Sequence, residues 1–343
     1  MSVIVVNHNG RAHLEACLRS LLQDGRDYEI VLVDNASTDG SVAYVARAFP
    51  QVRLIRNETN QGFGRGNNAG ARWARGEYLA FLNPDTIVEP EWLEALVRAL
   101  EADPQAGLAT AKILLLADGE RINTCGNEVH CTGLTLCRGL GMGRDAFAAR
   151  SEVGAVSGAA FAVRRQVFEA LEGFDEPFFM YLEDTDLSWR ARLAGYRCLY
   201  VPQSVVYHDY RLRFGPDKTY YLERNRYLML LKSLRWRTLL VLLPALLLGE
   251  VVTWGFMLLR ERRRLSNKLR AYAWIARHWD QIMASRRQTQ ALRRVKDRDL
   301  IAGCTHRLAF EQTGDGVIAR AVHLVFDPLF FLCKQLALVL IRW

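Results

Sequence analysis

The sequence predicts an α/β protein: a mostly parallel sheet covered by helices over residues 1–230, then an α-helical, membrane-associating region over 231–343. Three observations predict it. Strand-like apolar runs alternate with amphipathic helical segments through the first hundred residues. The run Leu79–Leu82 is apolar without alternation, as in a parallel strand buried on both faces. The last hundred residues lose the alternation and carry two long apolar stretches around a basic block.

The elements follow in order. Ser2–Val6 reads as a strand with no basic segment before an apolar one, so no leader is expected. A turn at Asn7–Gly10 precedes a helix with Leu14, Cys17, Leu18, Leu21 and Leu22 on one face. A second strand, Glu29–Val33, ends at Asp34, within reach of a ligand over the sheet edge. Ser37–Ser41 starts a helix through about Phe49, with Asp39 as its cap. Val52–Arg56 forms a third strand, and Gly62–Gly70 lead into another helix before the strand at 78–82. Pro84 cannot donate to a ladder, so that strand ends and Asp85 is held at the carboxyl edge, where open α/β sheets bind ligands. A carboxylate there suits a hard divalent cation bridging phosphates, or else caps the next helix.

Short strands and many glycines over 105–165 read as hairpins at one end of the sheet. A helical signal returns at Arg165–Leu171. An aromatic-rich turn then sets Glu183 and Asp184 at the start of a helix through Leu193. Partial burial there would raise the Asp184 pKa toward that of a general base, and capping is the alternative role. A last strand, Cys198–Val201, leads to Ser204–His208.

Half of the 343 residues are hydrophobic, which excludes a disordered chain and permits a large core. The net charge of +8 is localised: residues 260–298 hold 13 Lys/Arg against 3 Asp/Glu, so the remainder is slightly acidic. This block calls for an anionic partner. Thr238–Leu259 is apolar around Pro244 and Glu250, and Ala321–Ile341 is interrupted by Asp327, Pro328 and Lys334. A crossing at 238–259, alone or paired with one at 321–341, would leave the basic block outside, against the positive-inside rule. The expectation is therefore helices lying in the cytoplasmic leaflet, monotopic or peripheral, with Trp236, Trp254, Trp274, Trp279 and Trp343 among the headgroups. A buried helical hairpin in a soluble oligomer is the alternative. The adjoining apolar stretches favour an anionic membrane surface over nucleic acid, and homo-oligomerisation is left open. Seven cysteines without zinc spacing read as reduced structural thiols.

Five segments taken together resemble family 2 inverting glycosyltransferases, and most of all their bacterial rhamnosyltransferase branch. They are Ser2–Gly10, Val33–Ser41, Asn60–Gly70, Leu82–Asp85 and Tyr181–Leu187. The resemblance implies a GT-A fold, a nucleotide-sugar donor and Mg²⁺ or Mn²⁺. It places Asp34 on the pyrimidine, with Val6, Asn7, His8 and Asn9 flanking the base. Asn60, Gly62 and Asn67 become nucleotide contacts. The family's DxD motif departs here to Asn83-Pro84-Asp85, so Asp85 with His208 would hold the metal and Asn83 would contact the nucleotide as a neutral group. Asp184 would be the catalytic base with Glu183 as its neighbour, and Arg224 would meet the phosphates. Ser157–Ala160 would shape the acceptor pocket. The activity implied is transfer of rhamnose from dTDP-rhamnose to a polyprenyl-diphosphate saccharide during surface polysaccharide assembly in bacteria. Another donor, a UDP-hexose or a galactofuranosyl nucleotide, or a non-catalytic membrane scaffold, are the rival readings.

Overall fold

The computed structural model describes residues 1–23, 28–210, 215–309 and 316–343, with backbone alone for 316–322. The chain divides into two compact units. One comprises Met1–Asn127, Cys137–Ala191 and Tyr196–Tyr210. The other comprises Glu128–Leu136, Arg192–Gly195 and Arg211–Trp343.

In the first unit the strands and helices alternate as β1 (Ser2–Asn7), α1 (Arg11–Gln23), β2 (Glu29–Asn35), α2 (Ser41–Ala48), β3 (Arg53–Asn57), α3 (Gly62–Trp73) and β4 (Tyr78–Leu82). β5 (Thr86–Val88) and α4 (Trp92–Glu101) follow, then β6 (Ala106–Leu115) and β7 (Ile122–Thr124). β8 (Asn127–Val129) and β9 (Thr135–Cys137), most of whose residues belong to the second unit, pair as a separate two-stranded sheet. β10 (Ser151–Glu152), β11 (Ala160–Arg164), α5 (Arg165–Ala170), α6 (Glu183–Leu193) and β12 (Arg197–His208) complete the sheet and its covering helices. The main sheet runs β10-β12-β6-β11-β4-β1-β2-β3, with β5 on β12 and β7 on β6.

β3, β2, β1 and β4 are mutually parallel, as the crossover helices require, while β11 enters antiparallel between β4 and β6. Successive β1 side chains alternate faces. Val3 and Val5 join the core with Leu14 and Leu18 of α1, and Ile4 and Val6 face α3. Both faces are covered, so the strand is apolar throughout rather than alternating. On the α3 side the glycines set the spacing. A Cβ on Gly70 would stand 2.5 Å from Ile4 Cγ2, and one on Gly66 would stand 2.8 Å from Val6 Cγ1. The segment expected to bring backbone close to a nucleotide is thus helical from Gly62 onward, and its interior glycines bring helix close to sheet instead.

Residues 105–165 differ from expectation. β6 is a ten-residue strand between β12 and β11, buried along almost its whole length, rather than a peripheral hairpin. Its small residues (Ala106, Gly107, Ala109, Ala111) mask the β signal because it sits beneath α4 on one face. The strand expected at 198–201 runs on through His208 as one strand, β12, with a register shift between Val201 and Val205. All seven cysteines are free thiols, and burial pushes Cys17 up to about 12.

In the second unit the helices are α7 (Lys218–Ser233), α8 (Trp236–Val241), α9 (Leu243–Arg260), α10 (Leu265–Arg277), α11 (Trp279–Ala291), α12 (Asp297–Ala302) and α13 (Gly316–Leu340). The apolar stretch 238–259 is broken between α8 and α9, because Pro244 lacks an N–H and fits only a first helical turn. Pro328, by contrast, lies inside a continuous α13. The basic block forms three separate helices, α10 to α12, with a short 3₁₀ turn at Arg262–Arg264.

Replacing Gly70 with Val should lower unfolding free energy by about 1–3 kcal/mol, since α3 must lift from Ile4 and Val33. Urea denaturation followed by circular dichroism measures it, and an unchanged midpoint would contradict the packing account.

Candidate active site

Three loops at the carboxyl ends of β1, β2 and β4 carry the polar groups. Asn7 closes β1 and donates Nδ2–H to Asp34 Oδ1 and to Ser37 Oγ, both at 3.0 Å. Asp34 closes β2, is 2 % exposed, and takes the Ser37 N–H on its other oxygen at 2.9 Å. Its carboxylate therefore braces the β1 and β2 loops from beneath. His8 donates Nδ1–H to the Asn35 carbonyl at 2.7 Å, and Asn9 accepts the Thr38 N–H at 2.8 Å. Val6 is buried below this turn, while His8 and Asn9 are exposed on it. The α2 N-cap position is Gly40 rather than Asp39, which stands one residue before it and accepts the first-turn Arg11 N–H at 2.8 Å and Ser41 N–H at 3.1 Å.

Asn60 accepts the Gly62 N–H at 2.9 Å, and Asn35 donates to the Gly62 carbonyl at 2.9 Å. Gly62 has φ +77°, and a Cβ there would stand 2.2 Å from the Phe179 carbonyl oxygen, so only glycine fits. Asn67 is buried and donates to the Phe63 carbonyl of its own helix at 3.0 Å, which directs it inward rather than over the sheet edge.

β4 stops at Leu82, as Pro84 requires, and the turn is held by Thr86 Oγ1–H donating to the Asn83 carbonyl at 2.7 Å. His208 at the end of β12 brings Nε2 to 3.3 Å from Asp85 Oδ1, and no hydrogen bond satisfies that buried oxygen. His208 Nδ1 lies 2.9 Å from Asn123 Oδ1. An amide oxygen only accepts, so Nδ1 carries a proton and Nε2 is the ring nitrogen turned toward the carboxylate. A buried carboxylate oxygen without a hydrogen-bond partner and an imidazole nitrogen thus stand 3.3 Å apart, an O and N donor pair of the kind that binds divalent cations. Burial opposes ionisation of Asp85, but His208 outweighs it and holds the carboxyl below the usual aspartate value. The residues thus fit a divalent ion. Among the described residues no group of three or more His, Cys, Asp or Glu could enclose one, so diphosphate oxygens and water would complete its shell. Asn123, which no sequence signal marks, fixes the histidine in the ligating tautomer.

The other half of the site is the start of α6. Phe179, Tyr181 and Leu182 all adopt left-handed φ (62°, 66° and 64°), a cluster of strain that a plain loop would shed. Phe63 N–H, at the start of α3, donates to the Phe179 carbonyl at 2.6 Å and helps to fix this loop. Asp184 Oδ2 accepts the Gly158 N–H at 2.7 Å, and Oδ1 accepts the Thr185 N–H at 2.6 Å. The next residue, Ala159, offers its carbonyl to the Asn83 N–H at 3.0 Å. Two consecutive residues therefore tie the α6 carboxylate to the Asn83-Pro84-Asp85 turn. Burial raises the Asp184 pKa against the three hydrogen bonds that favour its charge. Glu183 is buried with Oε2 lacking any hydrogen-bond partner, and burial with the Asp184 charge pushes it up to about 8. Arg224 belongs to the second unit, where its guanidinium lies 4.6 Å over the Trp274 ring and Nε donates to Asn225 Oδ1 at 2.8 Å.

Two measurements follow. Mn²⁺ binding, read by electron paramagnetic resonance in the presence of nucleoside diphosphate, should weaken by about tenfold or more in Asp85→Ala and His208→Ala. It should weaken by a smaller factor, still about tenfold, in Asn123→Ala. Unchanged binding in all three would remove the metal assignment. Separately, Glu183 has a folded-state pKa above its unfolded value, so its contribution to stability is full below about 4.5 and is lost as pH rises from there to about 8. Glu183→Gln should therefore flatten the fall of Tm across that acid-to-neutral range, and an unaltered fall would refute the buried neutral acid.

Known proteins share this architecture. The profile described as Glycosyl transferase family 2 matches residues 2–171. An N-acetylglucosaminyl-diphospho-decaprenol L-rhamnosyltransferase of Mycobacterium tuberculosis is 31 % identical over 247 residues, spanning 65 % of this chain and 80 % of the relative. The structure of S. aureus TarS 1–349 in complex with UDP-GlcNAc superposes with a TM-score of 0.56 at 17 % identity, covering 98 % of this chain and 88 % of that one. GalNAc-T7 with UDP, GalNAc and Mn²⁺ gives a TM-score of 0.54 at 22 % identity, over 67 % of this chain and 47 % of that one. Those two likenesses are of fold alone. With the profile and the mycobacterial relative, they place the chain in glycosyl transferase family 2, as a glycosyltransferase of GT-A fold.

Proposed function

We propose that the enzyme transfers L-rhamnose from dTDP-rhamnose to a lipid-linked, polyprenyl-diphosphate saccharide at the cytoplasmic face of the cell membrane, for cell-surface polysaccharide assembly. The observation that carries this reading is the Gly158–Ala159 link, which holds a candidate base and a candidate metal turn in one backbone frame. The mycobacterial relative, whose printed name specifies a decaprenol-linked acceptor and rhamnose, supports the substrate class.

The chain's own groups divide the work. Val6, Asn7, His8 and Asn9 would flank the nucleotide base, with Asp34 bracing them, while Asn60 and Gly62 shape the neighbouring helix start. Asn83 would meet the nucleotide as a neutral donor. Asp184, with both oxygens already oriented by backbone N–H groups, would accept the proton of the acceptor hydroxyl. That oxygen then bonds to the anomeric carbon while the bond from that carbon to the nucleoside diphosphate breaks. Glu183, neutral beside it, would keep a second negative charge away from the base. A Mg²⁺ or Mn²⁺ ion held by Asp85 and His208 would neutralise charge on the departing diphosphate.

Transfer needs ionised Asp184, and its pKa is raised, so kcat/KM should climb with pH through a value above the ordinary aspartate range. Asp184→Asn should keep the thermal shift given by dTDP-rhamnose and lose about 10²–10⁴-fold in transfer to the lipid-linked acceptor. Undiminished transfer would overturn the base. A larger thermal shift from a UDP-hexose than from dTDP-rhamnose would overturn the donor.

A further inference from the structure

α9 and α13 pack side by side in the second unit, and the described charged groups within their apolar stretches are paired inside the protein. Glu250 is the one charged residue between Leu243 and Leu259. It accepts from Arg226 of α7 at 2.6 Å and pairs with Lys268 of α10 at 3.1 Å, with the Tyr227 and Tyr272 hydroxyls also donating to it. Glu223 closes the quartet, 2.9 Å from Arg226 and 3.0 Å from Lys268. On α13, Asp327 pairs with His323 at 2.7 Å and accepts the Leu308 N–H at 3.1 Å, and Lys334 donates to the carbonyls of Ala302 and Cys304. Every charged side chain of both apolar stretches is thus committed inward.

What remains outside is hydrocarbon. Leu243, Leu247, Val251 and Leu258 are exposed along α9. Leu324 (80 % exposed), Leu332, Leu336 and Val339 are exposed along α13. Only 22 % of Leu243–Arg260 and 11 % of His323–Leu340 is buried, too little for core helices of a soluble fold. Cations rim this plate at both ends, with an indole at one. Arg260, Arg262 and Arg263 are exposed beyond one end of α9. At the other, Arg237 lies 3.9 Å over the Trp343 ring, whose Nε1–H donates to Thr238 at 2.8 Å.

We infer that the outward faces of α9 and α13 form one apolar plate that lies in a single leaflet of an anionic bilayer, flat rather than crossing it. This names the surface behind the lipid-linked acceptor reading, and rests on that reading only for its purpose. A crossing α9 would carry Glu250 to mid-membrane, and with it either an unpaired carboxylate or the charged helices α7 and α10. A flat pose keeps the quartet in the protein and the plate in lipid. Arginines at both ends match anionic headgroups. They would oppose a second copy of the same plate, whose ends carry the same sign.

The test uses the full chain and vesicles of phosphatidylcholine with or without phosphatidylglycerol. Flotation should require phosphatidylglycerol and decline with added salt. Leu247→Glu with Leu332→Glu should lower the floated fraction about tenfold, while leaving the nucleotide thermal shift and transfer to a short, water-soluble acceptor intact. Arg237→Cys and Arg263→Cys, each compared with the parent chain, should both react with an impermeant maleimide added on the side of protein addition. Protection of one of them would establish a crossing and overturn the flat pose. Failure to float, or a dimer abolished by the paired Glu variant in place of flotation, would overturn the lipid assignment. Either failure leaves the transferase reading standing, because the soluble-acceptor assay is scored separately.

Discussion

One strip of backbone governs the geometry of the catalytic unit. Ser157–Ala160 enters β11 beside β4 in antiparallel register, Ala160 opposite Leu82. From that fixed ladder, Gly158 N–H points at Asp184 and the Ala159 carbonyl points at Asn83 N–H. The two chemical halves are held by main chain, which has no rotamers to lose, rather than by long side chains. The demand falls on Gly158. A Cβ there would sit 3.2 Å from Asp184 Oδ2 and 3.4 Å from Asp184 Cβ, so any larger side chain displaces the carboxylate it should orient.

Around that strip, environment sorts the acids into two tasks. Asp85 is drawn below the ordinary aspartate value by His208, which suits a group that must stay anionic beside a cation. Glu183 and Asp184 are driven the other way by burial, which suits proton transfer. The α6 N-terminus tempers this, since its free N–H groups favour negative charge within the first turn. The same helix buries Asp186 against Arg190 at 2.7 Å, so of the three acids in that turn only one is paired with a cation. Identical chemistry in the sequence becomes different chemistry in the fold.

The residues legible from sequence are those whose role is local. Pro84 had to end β4, and the apolar run of β4 had to be a covered strand. Glu183 and Asp184 were readable because a helix start followed an aromatic turn. The residues that escaped act across long separations: Asn123 reaches His208 over 85 positions, and Gly158 reaches Asp184 over 26. Nothing in the local pattern of Ile122–Thr124 marks a histidine's partner. β6 escaped for a different reason, since its alanines and glycine suit a strand pressed under a helix but resemble a loop or a helix in isolation. The glycines of Gly62–Gly70 were recognised as constrained, yet the constraint is helix-to-sheet packing at Gly66 and Gly70, which a one-dimensional pattern cannot separate from ligand approach.

Along α9 and α13 the usual arrangement is inverted, with charges paired inside and leucines outside, and for α9 the physical reason lies in the quartet. Two carboxylates and two cations in mutual contact sum to zero, so the cluster carries no net charge into the interior. Such buried networks add little stability over well-packed hydrocarbon, because desolvation offsets most of the attraction. What they do supply is register. Glu250 can reach Arg226 and Lys268 together in only one rotation of α9, and rotation by one residue, about 100° on a helix, would swing it out of the cluster. An all-leucine α9 would bury any face equally well. With Glu250 fixed inward, Leu243, Leu247 and Val251, spaced four apart, are fixed outward, and a helix that could otherwise pack in several ways presents one defined apolar stripe.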